Sequence, residues 1–351
     1  MLIRASVIGA SGYTGIELIR LLNQHPNVEL SYLVSETYQA QEVTQIYPHL
    51  AHLLIHQFSS LDLELIAKQS DIIFLAMPHG KALELVETLL AYGCKVVDLS
   101  ADLRLNSAQT YTQWYQHRAA NDEILKQAVY GLAEIGLKTQ IAGANLIANP
   151  GCYPTATILG LAPLLQQRCL DLTSGPLIID AKSGISGAGR SLSLATHFCE
   201  AINNFSAYQI GGIHRHIPEI EQELSKLAGQ ELQIQFTPHL LPTPRGLLIT
   251  AYCRLNGNYT LAQIEELYTS YYVDQFFVRV SSNESRPGIK TVLGSNFCNI
   301  SLHLDLRTNY LVVVSAIDNL IKGAAGQAVQ NMNLIYQLVE STGLMAGSTY
   351  P

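Results

Sequence analysis

The feature that most restricts how this chain can fold is a glycine-rich junction close to its start, GASGYTG at residues 9–15. A short β-rich run, LIRASVIGA, leads into it, and YTGIELIRLLNQHP follows with apolar residues at helical spacing as far as Pro26. Glycines between a strand and a helix permit a tight turn and let backbone amides approach a pyrophosphate, which rests on the helix N-terminus. The spacing is GxxGxxG rather than GxGxxG, so its place at the head of a strand–helix unit carries the inference. We therefore predict a dinucleotide site whose contacts include Gly9, Ser11, Gly12, Tyr13, Thr14 and Gly15.

The pattern of strands and helices changes after residue 151. Before it, the strand-like runs VELSYLV, DIIFLAMP, KVVDLS and NLIAN alternate with helical segments, which predicts a Rossmann-type, doubly wound parallel sheet. After it, strands follow one another with few helices between them, which predicts an α+β domain with a mostly antiparallel sheet. We expect a dinucleotide-binding domain at 1–151, a catalytic, substrate and oligomerisation domain at 152–315, and a C-terminal helical segment at 316–351 that returns to the first domain.

Composition excludes several classes of protein. The 351 residues carry a formal charge of −7 without a basic block, so a nucleic-acid partner is not expected. Apolar runs fall short of the ~20 residues that span a bilayer, and the N-terminus does not resemble a secretory signal. The six cysteines lack CxxC or zinc-like spacing, which predicts a reduced, cytoplasmic enzyme without a metal site.

The end of the second predicted strand bears on the choice of cofactor. An acid about 20 residues after the glycines would favour NAD by holding the ribose 2′-hydroxyl. Here the strand ends at Ser35, followed by Glu36, and Ser35 with Thr37 could hold a 2′-phosphate through hydroxyls and amides. The sequence has no lysine or arginine between Arg20 and Lys68 to assist them. Local chemistry leaves NADP and NAD open.

A cysteine between two prolines, in NPGCYPTA at 149–156, is the candidate nucleophile. Pro150 and Gly151 end the fifth predicted strand, and Pro154 suits the first turn of the next helix. Cys152 is thus expected just before a helix N-terminus, where the helix dipole and unpaired amides favour a thiolate. A thiolate used with a nicotinamide interconverts an aldehyde and an acyl derivative through a thioester. We predict this chemistry at Cys152.

The acid or base for such a site is expected in GGIHRHIPEIEQEL, which contains His214 and His216. Either histidine could protonate a developing alkoxide or a leaving group. His216 is slightly favoured because it lies closer to the start of the helix. His239, in TPHLLPTPRG, is a weaker candidate.

Together these segments resemble the N-acetyl-gamma-glutamyl-phosphate reductase family over essentially the whole chain. The cysteine segment IANPGCYPTATILGLAP at 147–163 is the most specific of them. More distantly, the arrangement is similar to aspartate-semialdehyde and glyceraldehyde-phosphate dehydrogenases. The other segments that carry the resemblance are GASGYTG at 9–15, LAMPHG at 75–80, DLSADLRL at 98–105, SGISGAGR at 183–190, GGIHRHIPEIEQ at 211–222, PHLLPTPRG at 238–246 and DNLIKGAAGQAVQNMN at 318–333.

The resemblance implies an NADPH-dependent reduction of N-acetyl-γ-glutamyl phosphate to the semialdehyde and phosphate, in arginine biosynthesis. It matches the family's nucleophile to Cys152 and its histidine motif to His214 and His216. It also resolves the cofactor choice toward NADP. The residues that it adds to the cofactor site are Pro78, Ser183, Gly184, Gly187 and Asn319. Because this substrate carries a carboxylate and a phosphate, the candidates for binding it are Arg104, Arg190, Arg215 and Arg245.

Two alternatives remain at this level. A related reductase of lysine biosynthesis acts on an aminoadipyl phosphate linked to an acidic carrier protein, and it should present a basic groove. A cofactor-binding regulator without turnover would have no use for Cys152 and its Pro-Gly frame. Beyond its small-molecule acyl-phosphate substrate, the expected partner is a second copy of the chain, in a homodimer or a homotetramer.

Overall fold

The computed structural model describes residues 2–281 and 287–350. The chain divides into two compact units. The first unit consists of Met1–Pro150 with Ala324–Met345, and the second of Gly151–Gly323 with Ala346–Pro351.

The first unit is built on a six-stranded sheet in the order β2-β1-β3-β4-β6-β5, in which every pair of neighbours is parallel. The central strand β3 is buried at all four positions, as expected for a parallel sheet covered on both faces. β5 is a three-residue strand that was not predicted from the sequence. The strands are β1 Ile3–Ile8, β2 Val28–Val34, β3 Ile72–Leu75, β4 Lys95–Asp98, β5 Ala128–Tyr130 and β6 Leu146–Ala148.

Eight α-helices belong to this unit within the described residues. Their bounds are α1 Tyr13–Asn23, α2 Val43–Ile46, α3 Leu63–Lys68, α4 Leu83–Ala91, α5 Ala108–Tyr115, α6 Asp122–Gln127, α7 Lys138–Ala142 and α12 Gly326–Ile335. α12 contacts α1, α7 and β4, although it comes from the end of the chain.

α12 buries polar side chains on the sheet. Gln327 and Asn331 both donate amide hydrogens to the carbonyl oxygen of Gly131, at 2.9 Å each, and Asn331 also donates to Oδ1 of Asn149 at 3.0 Å. A Cβ on Gly131 would lie 2.3 Å from Nδ2 of Asn331, so a side chain there would displace Asn331. Because buried amides are tolerated only when their hydrogen bonds are made, this network fixes the position of α12 against the ends of β5 and β6.

The second unit contains a seven-stranded mixed sheet in the order β11-β12-β13-β10-β7-β9-β8. Four of its neighbouring pairs are antiparallel, and β7–β9 and β11–β12 are parallel. The predicted fold class, a parallel Rossmann-type sheet with a second, mostly antiparallel one, is confirmed. The strands are β7 Leu177–Gly184, β8 Ser206–Ala207, β9 Ile234–Leu241, β10 Leu247–Arg254, β11 Val278–Ser281, β12 Cys298–Asp305 and β13 Tyr310–Ile317.

Among the residues that the structure describes, helices cover one face of this sheet and leave the other face open. α8 contacts β10 and β13 and is buried from Tyr153 to Leu165. On the opposite face, residues in register remain partly or fully exposed; we call this the open sheet face, and it includes Ile178, Asp180, Thr250, Tyr252 and Val312. The α-helices of the unit are α8 Cys152–Gln166, α9 Phe198–Ala201, α10 Ile217–Ala228 and α11 Leu261–Tyr271, and a π-helix, Ile321–Ala325, begins at the end of the unit and continues into α12.

Within the described part of the chain, we find no helix that has both the length and the apolar character needed to cross a membrane.

Candidate active site

The glycine loop packs tightly against the end of β3. Gly9 has φ of +86°, and a Cβ there would lie 2.3 Å from the carbonyl oxygen of Ala76. A Cβ on Gly15 would lie 2.4 Å from the oxygen of Gly9. Gly12, which has no side chain, takes the N-cap position of α1. The first amides of α1 therefore lie behind a turn made only of main chain and small side chains, the arrangement that accommodates a phosphate.

The predicted ribose-binding serine lies next to this loop. The hydroxyl of Ser35 is 2.7 Å from that of Ser11, and it accepts the amide hydrogen of Tyr38 at 3.3 Å. Tyr47, which was not predicted from the sequence, donates its hydroxyl hydrogen to the carbonyl oxygen of Ser11 at 2.7 Å. The structure thus brings Ser11 and Ser35 into direct contact.

Asp102 fixes the loop that follows β3 and contains Pro78. Its carboxylate accepts amide hydrogens from Gly80 at 2.8 Å and from Ala82 at 3.2 Å, and the hydroxyl hydrogen of Tyr111 at 2.6 Å. This role leaves no local signal in the sequence, because Asp102 is 22 positions from Gly80.

Arg104 lies in the first unit and is buried. Its Nε donates to the carbonyl oxygen of Asn149 and its Nη2 to that of Leu99, at 2.7 Å each. These bonds connect the loop after β4 with the end of β6. Arg104 was predicted to bind the substrate, but two of its donors, Nε and Nη2, are directed at main-chain carbonyls.

Cys152 is the first residue of α8 rather than the residue before it. The preceding amide, of Gly151, donates to Oε1 of the buried Glu219 at 2.9 Å. On the other side, a Cβ on Gly323 would lie only 2.7 Å from Cβ of Cys152. Cys152 is partly exposed and occupies a helix N-terminus, where unpaired amides favour negative charge.

The two histidines differ in burial. His214 is 7% exposed, and its Nδ1 accepts the amide hydrogen of His216 at 3.1 Å. Its Nε2 lies 3.4 Å from the hydroxyl of Tyr208, which in turn donates to the hydroxyl of Tyr153 at 3.3 Å. Burial, reinforced by the charge of Arg215, lowers the pKa of His214 to about 4. His214 is therefore neutral near pH 7, with its proton on Nε2.

His216 is the N-cap residue of α10 and is less buried than His214. The two imidazole rings lie 5.0 Å apart, and both contact the ring of Tyr153 edge-on. His239, the weaker candidate, lies on β9, where its Nδ1 is 3.2 Å from Oδ1 of Asp180. The structure thus groups His214 and His216 around the residue next to Cys152.

A second group of predicted residues meets at the end of β7. Asn319 donates to the hydroxyl of Ser186 at 2.9 Å and accepts the amide hydrogen of Gly246 at 2.8 Å. A Cβ on Gly187 would lie 3.2 Å from Oγ of Ser183, and one on Gly184 would lie 2.8 Å from the amide nitrogen of Arg245. Asn319 therefore ties the SGISGAG loop to the PTPRG turn.

The remaining arginine candidates belong to the second unit. Nη1 of Arg245 lies 3.8 Å from Oδ2 of the buried Asp318. Arg190 follows the SGISGAG loop and is partly exposed, and Arg215 is exposed between the two histidines.

Three residues near Cys152 were not predicted from the sequence. Glu219 could have been suspected because an acid in the first turn of a helix is favoured there, and it follows His216 by three positions. Tyr153 is adjacent to Cys152 but has no polar pattern around it. Tyr208 reaches the site only through the pairing of β8 with β9, which local sequence does not reveal.

Family models match both units of the chain. Residues 4–144 match the family model described as "Semialdehyde dehydrogenase, NAD binding domain", and residues 152–319 match "Semialdehyde dehydrogenase, dimerisation domain". The fold and the two matches together define an oxidoreductase of the semialdehyde dehydrogenase class, with a nicotinamide-cofactor domain.

Relatives that match this chain over its full length identify the family within this class. Proteins named N-acetyl-gamma-glutamyl-phosphate reductase from Geotalea daltonii, Desulforudis audaxviator and Brevibacillus brevis are 49%, 48% and 47% identical to this chain, each over 100% of both sequences. The chain belongs to the N-acetyl-gamma-glutamyl-phosphate reductase family, as the sequence motifs predicted.

Solved structures share the fold at low identity. Aspartate semialdehyde dehydrogenase II of Vibrio cholerae, complexed with ASA, aligns with a TM-score of 0.73 at 14% identity, over 96% of this chain and 99% of that one. Aspartate semialdehyde dehydrogenase of Candida albicans with NADP aligns with a TM-score of 0.64 at 16% identity, over 96% and 99%. These likenesses show the fold of both units.

Proposed function

We propose that this chain reduces N-acetyl-γ-glutamyl phosphate to N-acetyl-L-glutamate 5-semialdehyde and phosphate, with NADPH as the reductant, in arginine biosynthesis. One observation carries the proposal: Cys152 begins α8, and the ring of the next residue, Tyr153, contacts two histidines, in a chain that matches reductases of this name over its whole length.

The first unit supplies residues that fit the cofactor. The turn at Gly9, Gly12 and Gly15 would hold the pyrophosphate on the first amides of α1, and Ser35 with Thr37 would hold the 2′-phosphate of NADP. When bound, the nicotinamide supplies the hydride. The Candida albicans aspartate semialdehyde dehydrogenase, whose structure was solved with NADP, supports the choice of NADP.

Cys152 begins the reaction. Its thiolate attacks the acyl carbon of the substrate, a carbon–sulfur bond forms, and phosphate leaves with the electrons of the carbon–oxygen bond. The amides at the start of α8 stabilise the thiolate. Glu219 keeps this end of α8 in place through the amide of Gly151.

His216 handles the proton in this mechanism. As the acyl carbon accepts hydride, its oxygen becomes negative and takes a proton from His216. His216 takes the proton back when the carbon–sulfur bond breaks, which releases the aldehyde and restores the thiolate of Cys152. His214 positions His216, because its Nδ1 accepts the amide hydrogen of His216.

The anionic groups of the substrate need cationic partners. Arg190, Arg215 and Arg245 are favoured because they share a unit with Cys152. Arg104 is less favoured, since Nε and Nη2 already donate to main-chain carbonyls.

The proposal includes a homo-oligomer, a homodimer or a homotetramer, that works in the cytoplasm. Two observations support the oligomer: residues 152–319 match a dimerisation domain, and the open sheet face belongs to the same unit. The spacing of the six cysteines, without a CxxC pair, supports a reducing compartment.

The test is oxidation of the semialdehyde in the presence of phosphate or arsenate, with NADP and NAD compared side by side. We expect phosphate-dependent formation of NADPH, and much slower formation of NADH. An aminoadipate semialdehyde linked to a carrier protein is the control substrate. Faster turnover of that substrate, or no turnover of either, would refute the proposal.

A further inference from the structure

A continuous series of hydrogen bonds runs through one imidazole ring and two tyrosine hydroxyls of the second unit; we call it the tyrosine–histidine chain. The amide of His216 donates to Nδ1 of His214 at 3.1 Å. Nε2 of His214 lies 3.4 Å from the hydroxyl of Tyr208, which donates to the hydroxyl of Tyr153 at 3.3 Å. Tyr153 donates in turn to the carbonyl oxygen of His239 at 3.4 Å. Tyr208 is therefore the link between His214 and Tyr153.

The two ends of the tyrosine–histidine chain set its direction. A main-chain amide only donates a hydrogen, and a carbonyl oxygen only accepts one. Because the amide of His216 occupies Nδ1 of His214, the proton of the neutral ring is on Nε2, where the hydroxyl oxygen of Tyr208 accepts it. The hydrogen of Tyr208 then goes to Tyr153, and that of Tyr153 goes to the carbonyl oxygen. Each group thus has one role, fixed by main-chain groups that cannot reverse theirs.

The protonation state of Tyr208 suits this direction. Burial, reinforced by the charge of Cys152, raises the pKa of Tyr208 to about 12, so the hydroxyl keeps its hydrogen near pH 7. Burial also raises the pKa of Tyr153, and the charge of Cys152 again adds to the effect. Because Cys152 acts on both hydroxyls, the tyrosine–histidine chain lies within the electrostatic field of that thiol.

The backbone around Tyr208 holds it against His214. The amide of Tyr208 donates to the carbonyl oxygen of Pro238 at 3.1 Å, directly after the pairing of β8 with β9. The chain then turns back through Gly211 and Gly212, which both have φ of +80°, a conformation that favours glycine. Tyr208 and His214, six positions apart, meet across this turn.

We propose that Tyr208 is a positioning residue for the reaction, because its hydroxyl fixes the tautomer of His214 and, through that ring, the main chain of His216. The inference rests on the proposed function, in which His216 exchanges the proton. If the proton of His214 moved to Nδ1, it would face the amide hydrogen of His216, and a buried donor would lose its acceptor. Both ring nitrogens of His214 are engaged in the tyrosine–histidine chain, so His214 acts by holding His216.

Tyr208→Phe tests the proposal, because it removes the hydroxyl and keeps the ring. We expect kcat to fall about 10-fold, which corresponds to one lost hydrogen bond. KM for NADPH should not change, since Tyr208 and the glycine turn belong to different units. The matched control is Tyr92→Phe, which alters an exposed tyrosine of the first unit and should have the kcat of the wild type.

The tautomer of His214 is the second measurement. Long-range ¹H–¹⁵N NMR of protein labelled with ¹⁵N-histidine shows at pH 7 which ring nitrogen carries the proton, and the signal that is lost in His214→Gln assigns the ring. We expect the proton on Nε2 in the wild type and in Tyr92→Phe, and a mixture of both tautomers in Tyr208→Phe. Damage to the fold alone would not redistribute this proton while KM for NADPH stays constant.

A wild-type spectrum with the proton on Nδ1 would overturn the proposal without any variant. A folded Tyr208→Phe protein that keeps either the wild-type tautomer or the wild-type kcat would overturn it as well. The spectra need no substrate. A wild type that shows the expected tautomer but does not reduce the acyl phosphate would therefore refute the proposed function and leave the tyrosine–histidine chain in place.

Discussion

At the scale of single residues, the position of Cys152 depends on two glycines. The amide of Gly151 is anchored on the buried carboxyl group of Glu219, and Gly323 leaves no room for a side chain beside Cys152. A nucleophile acts efficiently only when its surroundings hold it within a fraction of an ångström. In the proposed mechanism, Gly323 therefore contributes by the space that it leaves beside Cys152, and Gly151 contributes by the hydrogen bond of its amide to Glu219.

Replacing Cys152 by serine tests the nucleophile. We expect Cys152→Ser to fold and bind NADPH normally but to lose turnover by several orders of magnitude, because a serine hydroxyl is barely ionised at neutral pH. Steady-state kinetics and fluorescence titration of NADPH measure the two effects. If Cys152→Ser kept one tenth of the wild-type turnover rate, Cys152 would not be the nucleophile.

Alkylation of the wild type provides a matched control for that variant. Cys253 is fully buried, and burial raises its pKa to about 12, so iodoacetamide should not reach it in the native state. We expect peptide mass spectrometry to find Cys152 labelled and protected by the acyl-phosphate substrate. Cys199 is exposed and should be labelled without such protection.

The buried His214 predicts a dependence of stability on pH. Its pKa is lowered from 6.5 to about 4 by burial, so the unfolded state binds more protons between these values. The stability it contributes is complete above pH 6.5 and falls by up to about 3 kcal/mol as pH decreases toward 4. Urea unfolding at several pH values should give a flatter profile for His214→Gln than for the wild type. Equal slopes would contradict this assignment.

Substitution of Ser35 tests whether the protein recognises the 2′-phosphate of NADPH. Ser35→Asp should raise KM for NADPH far more than KM for NADH, because a carboxylate repels the 2′-phosphate that only NADPH carries. Ser35→Ala, which removes the hydroxyl and its bond to Ser11 without adding charge, is the control and should raise KM for NADPH less than Ser35→Asp does. Equal effects of Ser35→Asp on the two KM values would show that Ser35 does not face the ribose.

At the scale of elements, the π-helix Ile321–Ala325 and the first turn of α8 approach each other closely. Gly323 replaced by alanine would place Cβ 2.7 Å from that of Cys152. We expect Gly323→Ala to lower kcat by about 10- to 100-fold through displacement of the sulfur, with a smaller effect on stability. Gly347→Ala, where a Cβ meets nothing within 4 Å, should behave as the wild type. A normal kcat for Gly323→Ala would show that Cys152 tolerates the shift.

The elements also show what the sequence can and cannot predict. The glycine turn, the strand before it and α1 were predictable because their signals lie within about 20 residues of one another. β5 was missed because three residues carry too little periodicity. Glu219 and Tyr208 were missed because their roles depend on partners 68 and 55 positions away, Gly151 and Tyr153, which become neighbours only in the folded chain.

At the scale of the whole molecule, the first unit is made from both ends of the chain. Its sheet comes from the first 150 residues, while α12, which supplies amides to Gly131 and Asn149, comes from Ala324–Met345. Local patterns indicated a helix near the C-terminus, but the buried amide network follows only from the packed structure.

Gly131 tests how much the first unit depends on this contact. Gly131→Ala would place Cβ 2.3 Å from Nδ2 of Asn331 and 2.6 Å from Cγ2 of Ile147. We expect a loss of about 1–3 kcal/mol in the free energy of unfolding, measured by urea denaturation. Gly143→Ala, whose nearest atoms would lie 3.8 Å away, is the control and should change stability by less than about 1 kcal/mol. Equal stabilities of the two variants would show that α12 can shift to accommodate a side chain at residue 131.

The same amide network sets an order of events during protein synthesis. Asn149 and Asn331 are 182 positions apart, which a ribosome covers in roughly 10 to 40 seconds at about 5–20 residues per second. Until Asn331 emerges, Oδ1 of Asn149 and the carbonyl oxygen of Gly131 lack this donor. The residues of the second unit up to Gly323 are all made before α12. The first unit, whose sheet is synthesised first, is therefore the unit that finishes folding last.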